Sequence, residues 1–111
     1  MGEIEKPRVL FVCRRGRSSL QFKNMFSGYL QSRGMAGEFT LESGGILDED
    51  LESRIDKSDF VVGIYPEVIS KLHELVGREK REGRAARLHE IDVANLKPDW
   101  NARLLEELIG E

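Results

Sequence analysis

The chain has 111 residues, of which 40% are hydrophobic and 33% charged, and its formal net charge at pH 7 is -3. This length suits one domain, no apolar run approaches the ~20 residues of a membrane-spanning helix, and the mild negative charge argues against nucleic-acid binding by the whole surface. We therefore expect a single domain over residues 1–111 that is soluble and cytoplasmic, has no membrane or nucleic-acid partner, and is a monomer or weak dimer.

The first half of the chain predicts two strands, each followed by a helix. Residues 9–12 are continuously apolar, which is typical of a strand buried on both faces. The next segment repeats apolar residues at helical spacing up to a stop at Gly34, namely Phe22, Met25, Phe26, Tyr29 and Leu30. Residues 39–42 predict a second strand, ended by the turn-prone residues 43–45. Leu47, Leu51 and Ile55 then form one face of a short helix.

The second half repeats this order. Residues 59–65 predict another strand buried on both faces, and Pro66 begins a helix that Gly77 ends. Residues 78–86 predict a solvated basic connection to a fourth strand over residues 87–91. Pro98 and Asp99 then open a final helix.

Strand and helix thus alternate four times along the chain. This order predicts an α/β fold with a four-stranded parallel sheet and helices on both faces, in three layers of the Rossmann-like kind. Sheets of this type bind ligands at the carboxyl ends of their strands. The loop after the first strand is therefore the expected ligand site, because it also leads into the positive end of a helix.

That loop begins with the only cysteine of the chain. Cys13 is followed by Arg14, Arg15, Gly16, Arg17, Ser18 and Ser19. Glycine allows the backbone to curl so that several amides converge on an oxyanion, and either serine can cap the helix. A helix N-terminus and nearby guanidinium groups favour the nucleophilic thiolate. We predict a phosphate-binding loop over residues 14–19 with Cys13 as nucleophile, and neither a metal nor a cofactor.

These residues resemble the low-molecular-weight protein tyrosine phosphatases and the arsenate reductases that share their fold. The family pattern is a strand of the type V-L-F-V-C, five loop residues, Arg-Ser and a helix, and residues 9–13 match its strand and nucleophile. Residues 43–45, 57–75, 87–92 and 95–100 look like later family segments. The resemblance implies hydrolysis of a phosphate monoester, possible phosphoprotein substrates, and a general acid on the loop after the fourth strand.

The arginine of the family pattern is displaced here. It lies six residues after the cysteine in the family, but that position is Ser19, and Arg17 comes only four residues after Cys13. Aligning the helix faces instead gives a loop one residue shorter, with Ser18 at the arginine position. Two alternatives follow: an arginine of the loop binds the anion from another direction, or the loop binds an oxyanion without catalysis.

The same loop also resembles the IIB proteins of the cellobiose and lactose phosphotransferase systems, whose cysteine loop reads C-x-x-G-x-S-[ST]-S. Cys13, Gly16, Ser18 and Ser19 fit that spacing, but Leu20 replaces the last serine and the three arginines are foreign to the loop. This resemblance implies a phosphocysteine carrier. Three functions are therefore open: a phosphatase, a phosphocysteine carrier, and a non-enzymatic module that binds an anion or phosphopeptide. We rank the phosphatase first.

The general acid is expected among the residues that follow the fourth strand. Asp92 comes directly after it and is the predicted proton donor, with Asp99 as the reserve. An aspartate at the end of a strand is also a turn former, so a structural role for Asp92 stays open. Tyr65, at the end of the third strand, either lines a substrate mouth or packs. The predicted catalytic set is Cys13, Arg17 and Asp92.

Overall fold

Four parallel strands form the centre of the protein in a computed structural model that describes residues 6–78 and 87–110. They are β1 (Arg8–Cys13), β2 (Thr40–Gly45), β3 (Phe60–Ile64) and β4 (Arg87–Ile91), in the order β2-β1-β3-β4. The helices are α1 (Arg17–Ser32), α2 (Leu51–Asp56), α3 (Pro66–Arg78) and α4 (Trp100–Ile109), with a 3₁₀ turn over Val93–Asn95. The predicted α/β class with an all-parallel, four-stranded sheet is confirmed.

The two central strands are apolar and buried over residues 9–13 and 60–64 because helices cover both faces of the sheet. Val9 and Phe11 face one core with α1 and α4, whereas Leu10 and Val12 face a second core with α2 and α3. Successive side chains of a strand point to opposite faces, so a strand between two helical layers has no position left for a polar residue. No described helix is long and apolar enough to cross a membrane.

Helix α1 contacts the sheet through a narrower face than its sequence predicts. Phe22, Phe26 and Leu30 are buried, whereas Met25 is 48% exposed. The buried positions are four residues apart and lie on one side of the helix. Met25 belongs to the predicted apolar set, but it lies outside this buried side of the helix and stays partly exposed to solvent.

The predicted turn at residues 43–45 is wrong. Strand β2 runs through Gly45, with Val12 paired to Gly44 and Cys13 to Gly45 in parallel register. The predicted helical face from Leu47 is also wrong at its start, because Leu47 is 73% exposed and α2 begins only at Leu51. The chain turns in between, where the Asp48 carboxylate accepts a hydrogen bond from the Gly45 amide at 2.9 Å.

The second half follows the sequence prediction more closely. Strand β3 lies inside the predicted residues 59–65, α3 ends one residue beyond Gly77, and β4 has the predicted bounds. Helix α4 begins directly after Asp99. Of the predicted connection, residues 79–86 lie outside the described part of the chain.

The strand order creates a crevice next to Cys13. The chain leaves β1 toward β2 on one side, and it leaves β3 toward β4 on the other. The connections after β1 and β3 therefore diverge at the carboxyl ends of these neighbouring strands, which is the usual ligand-binding position in open α/β sheets. We call this place the β1/β3 crevice. Cys13 ends β1, and Tyr65 follows β3 directly.

We expect Phe26→Ala to destabilise the protein by about 3–5 kcal/mol, because its ring is completely buried between α1 and the sheet. Met25→Ala is the matched control on the same helix, and exposure limits its effect to about 0.5 kcal/mol. Urea unfolding of the two variants and the wild type measures the difference. Equal losses in both variants would contradict the assigned helix face.

Candidate active site

The sulfur of Cys13 lies among hydrogen-bond donors. The backbone amides of Gly16 and Ser19 donate to Sγ at 3.0 and 3.3 Å, and Ser19 Oγ lies 3.3 Å from the same sulfur. The residue is only 2% exposed and carries a free thiol. The structure thus brings Cys13, Gly16 and Ser19 together. We call residues 13–19 the Cys13 loop.

The bend of this loop is produced by one glycine. Gly16 has φ 87°, in the left-handed region that side chains other than glycine rarely adopt. It is the N-cap residue of α1, and no side chain caps the helix. The predicted capping by Ser18 or Ser19 is therefore wrong, because Ser19 points into the protein and Ser18 contacts another strand connection.

Ser19 connects the cysteine to strand β2. Its hydroxyl is fully buried and donates to the Gly44 carbonyl at 3.0 Å, while the protonated Cys13 thiol donates to Ser19 Oγ. A hydroxyl carries only one proton. When Cys13 loses its proton, the Ser19 hydroxyl must turn from Gly44 toward the sulfur to stabilise the thiolate. Ser19 is thus the group that responds directly to ionisation of the cysteine.

Hydrogen bonding decides the acidity of Cys13. Burial raises the pKa of the thiol, and it is the largest single influence. The hydrogen bonds from the Ser19 hydroxyl and from the amides of Ser19, Gly16 and Arg15 together outweigh burial, so the pKa lies below its ordinary value. The site therefore favours the thiolate, which is the reactive form of cysteine.

The Cys13 loop rests directly on the backbone of β2. A Cβ atom placed on Gly45 would lie 3.0 Å from the Arg14 carbonyl oxygen and 3.1 Å from the Gly16 nitrogen. These are backbone atoms, which cannot move aside as the end of a flexible side chain does. The amide of Ile46 also donates to the Cys13 carbonyl at 2.8 Å. The absence of a side chain at Gly45 is thus a condition for the observed loop.

A polar cluster behind β2 holds this backbone in place. Arg54, on α2, donates to the Ser43 carbonyl at 2.8 Å and forms ion pairs with Glu42 and Asp48. Asp48 in turn accepts from the Gly45 amide. Sequence reasoning missed this support, although one signal was present: the consecutive glycines Gly44 and Gly45 shortly after the predicted second strand.

Three arginines lie in the Cys13 loop. Arg14, Arg15 and Arg17 are exposed, and none forms an ion pair with a carboxylate of the described residues. The first turn of α1 contains no acidic residue either. Positive guanidinium groups therefore adjoin the positive end of a helix dipole without a counter-charge from the described part of the chain, an arrangement that favours anion binding.

A hydrogen bond crosses the β1/β3 crevice. Ser18 Oγ lies 3.0 Å from the Tyr65 hydroxyl oxygen. Tyr65 has φ 78°, and it is the one residue other than glycine with positive φ among the described residues. Its half-buried ring packs against the hydrophobic cores on both sides of the sheet. The predicted packing role of Tyr65 is therefore confirmed by its contacts, and the lining of a substrate mouth stays a prediction.

The aspartates predicted as proton donors form hydrogen bonds with residues close to them in the chain. Asp92 is exposed, its Oδ1 accepts from the Ala94 amide at 3.1 Å, and its Oδ2 accepts from Asn95 Nδ2 at 2.9 Å. The Asn95 hydrogen bond holds the pKa of Asp92 below its ordinary value. Strand β3 separates Asp92 from β1, which corresponds to about 10 Å between the two strands. The structure does not hydrogen-bond Asp92 to the Cys13 loop.

Asp99 is equally occupied. Its Oδ2 accepts a hydrogen bond from Arg103 Nε at 3.0 Å, and this contact lowers its pKa. A carboxyl group whose pKa is lowered is ionised at neutral pH and holds no proton to donate. Asp99 therefore serves helix α4 in this structure.

The fold and site together define a parallel α/β protein with an acidic cysteine thiol in a nest of backbone amides. No protein-family model and no curated protein sequence matches the chain. Within residues 6–78 and 87–110, no group of three or more His, Cys, Asp or Glu side chains could hold a metal ion.

We expect Ser19→Ala to raise the pKa of Cys13, because the variant lacks the hydroxyl that stabilises the thiolate. The rate of alkylation by iodoacetamide against pH measures this pKa directly, since Cys13 is the only cysteine. The rate midpoint should move to higher pH in Ser19→Ala. Ser27→Ala, on the same helix, is the control, and a midpoint that moves equally in both variants would contradict the assigned role.

We expect Gly45→Ala to displace the Cys13 loop, because the added methyl group meets backbone atoms of Arg14 and Gly16. The alkylation midpoint of Cys13 should again rise, as the amides move away from the sulfur. Gly28→Ala is the control: apart from its chain neighbours and the nearby backbone of α1, no atom lies within 4 Å of its Cβ position, and alanine should stabilise α1 by about 0.5–1 kcal/mol. An unchanged midpoint in Gly45→Ala would show that the loop does not depend on this contact.

Proposed function

We propose that this protein binds a phosphate monoester or a related oxyanion at the Cys13 loop and uses the Cys13 thiolate to hydrolyse it, as its resemblance to the low-molecular-weight protein tyrosine phosphatases implies. One observation carries the proposal: the sulfur at the end of β1 accepts hydrogen bonds from the Gly16 and Ser19 amides and has a lowered pKa. A thiolate at this edge of the sheet lies where folds of this kind bind their ligands.

The proposed reaction has two steps. The thiolate attacks phosphorus, so that an S–P bond forms while the P–O bond to the ester breaks, and the departing oxygen takes a proton. Water then attacks the phosphocysteine, the S–P bond breaks, and inorganic phosphate leaves with the thiolate restored. Covalent catalysis of this kind replaces one difficult displacement by two easier ones.

In this proposal the Cys13 loop itself binds the anion. The amides of residues 16–19 and the Arg17 side chain form the cradle, with Arg14 and Arg15 adding positive charge at its mouth. Support comes from the exposure of all three arginines and from the lack of an acidic residue in the first turn of α1. Backbone amides and cations that point at developing negative charge stabilise the transition state of phosphoryl transfer.

Asp92 is the proposed proton donor, and the observed hydrogen bonds limit how it acts. It must leave Asn95 and take up a proton before it serves as an acid, because its pKa is lowered in the present arrangement. Hydrolysis that depends on Asp92 should therefore be greatest in the acidic range and decline as pH rises toward neutrality. The proposed setting is the cytoplasm, with a phosphorylated small molecule or phosphoprotein as substrate and no cofactor.

A phosphocysteine carrier is the second candidate, and the engagement of Asp92 favours it. Both carboxylate oxygens bind within the Val93–Asn95 turn, so in the observed conformation Asp92 is not free to protonate a departing ester oxygen. A carrier of the IIB type instead takes a phosphoryl group from one protein and passes it to another, and it needs no loop arginine. Such a protein is modified stoichiometrically at Cys13 and shows no turnover.

We expect the wild type to hydrolyse an aryl phosphate such as p-nitrophenyl phosphate at mildly acidic to neutral pH, with inhibition by vanadate. Cys13→Ser should reduce turnover to the background rate, because a serine hydroxyl is not ionised at these pH values. Asp92→Asn should lower kcat by about 10²-fold or more if Asp92 donates the proton. The rate of p-nitrophenol release at several pH values measures the turnover of all three proteins.

The matched control for Asp92 is Asp99→Asn, which removes the same charge from the other predicted acid and should leave kcat unchanged. Absence of turnover in the wild type would contradict the hydrolase proposal. In that case, stoichiometric phosphorylation of Cys13 by a phosphorylated donor protein would identify a carrier, and phosphate binding without modification would identify an anion-binding module.

A further inference from the structure

The contact across the β1/β3 crevice joins the Cys13 loop to the connection after β3. Ser18 and Tyr65 are 47 residues apart in the chain, and their hydroxyl oxygens are 3.0 Å apart. Ser18 directly precedes Ser19, whose amide donates to the Cys13 sulfur. The hydrogen bond therefore joins the connection after β3 to the residue that directly precedes a donor to the nucleophile.

The two hydroxyl groups together have one proton to spare. Each hydroxyl carries one proton and accepts further hydrogen bonds through its lone pairs. If Tyr65 donates to Ser18, the Ser18 proton is available to a ligand; if Ser18 donates, the Tyr65 proton is available. In either arrangement the pair uses one proton internally and leaves the other for a further acceptor.

The position of the Tyr65 hydroxyl is fixed by its surroundings. The ring packs against both hydrophobic cores, and the Tyr65 carbonyl accepts the Ile69 amide in the first turn of α3. The residue nevertheless holds φ at 78°, which is an outlier for a bulky side chain. Unusual backbone of this kind persists only where the surrounding structure imposes it, and it concentrates at functional sites.

We propose that Tyr65 is a positioning residue of the anion site, which orients Ser18 so that the Ser18–Tyr65 pair offers one fixed O–H group to an oxygen of the bound phosphate. The inference rests on the proposed function. It also gives a role to Ser18, the residue at the position of the family arginine when the loop is aligned one residue shorter. The hydroxyl pair then contributes part of the anion binding that a guanidinium group supplies elsewhere.

The test is protection of Cys13 from iodoacetamide by inorganic phosphate, in which the dependence of the rate on phosphate concentration gives Kd. Tyr65→Phe keeps the packed ring and removes only the hydroxyl, and it should weaken phosphate binding about ten-fold. Tyr29→Phe is the matched control, because Tyr29 is the other tyrosine and lies near the far end of α1. Its Kd should equal that of the wild type.

Ser18→Ala should weaken phosphate binding to a similar extent, and the double variant should lose little more than either single variant, because the two hydroxyls act as one unit. Ser18→Thr keeps the hydroxyl and should retain most of the affinity. The Cys13 alkylation midpoint without phosphate should stay at the wild-type pH in all of these variants. A shift of that midpoint in Tyr65→Phe and Ser18→Ala would reveal a merely structural role and overturn the inference.

The outcomes separate the two proposals. If phosphate protects the wild type, Tyr65→Phe and Ser18→Ala equally well, the anion site stands and the positioning role of Tyr65 is wrong. If neither phosphate nor vanadate protects the wild type at any concentration, the proposed function fails and this inference fails with it.

Discussion

The close approach of the Cys13 loop to the backbone of β2 is the contact on which the site depends. Gly45 leaves room for the carbonyl of Arg14 and the amide of Gly16, and the Ile46 amide holds the end of β1 at 2.8 Å. This approach directs the loop amides toward the Cys13 sulfur and brings Ser19 within reach of the Gly44 carbonyl. A side chain at Gly45 would push the donors away from the sulfur.

The resulting electrostatics differ from those of the protein as a whole. The chain carries a net charge of -3, yet the Cys13 loop combines three exposed arginines with a helix N-terminus that has no acidic residue in its first turn. The Ser19 hydroxyl and the loop amides lower the pKa of the thiol despite its burial. A local positive field therefore coexists with a mildly acidic surface, and a small anion is the ligand that such a field attracts.

The strand order explains which polar groups adjoin the cysteine. Strand β3 is the direct neighbour of β1, so Tyr65 reaches the Cys13 loop, whereas β4 lies one strand further away and carries Asp92 with it. The 3₁₀ turn then uses the Asp92 carboxylate to bind its own backbone and Asn95. The family resemblance expects the acid after the fourth strand, whereas the polar side chain that follows β3 and contacts the Cys13 loop is Tyr65, through Ser18.

The sequence by itself determined the alternation of strands and helices and the burial of residues 9–12 and 60–64. It also determined which side chains follow β1, namely a cysteine, arginines and serines. These features could be predicted because apolar periodicity and the positions of glycine and proline are local signals. Only the tertiary structure decided that β2 continues through Gly45, that Ser19 turns inward, and that Ser18 meets Tyr65. These outcomes depend on contacts between residues 25 and 47 positions apart. Local propensity treats Ser43, Gly44 and Gly45 as a turn, whereas strand pairing and the close approach of the Cys13 loop require the glycines in an extended, buried strand.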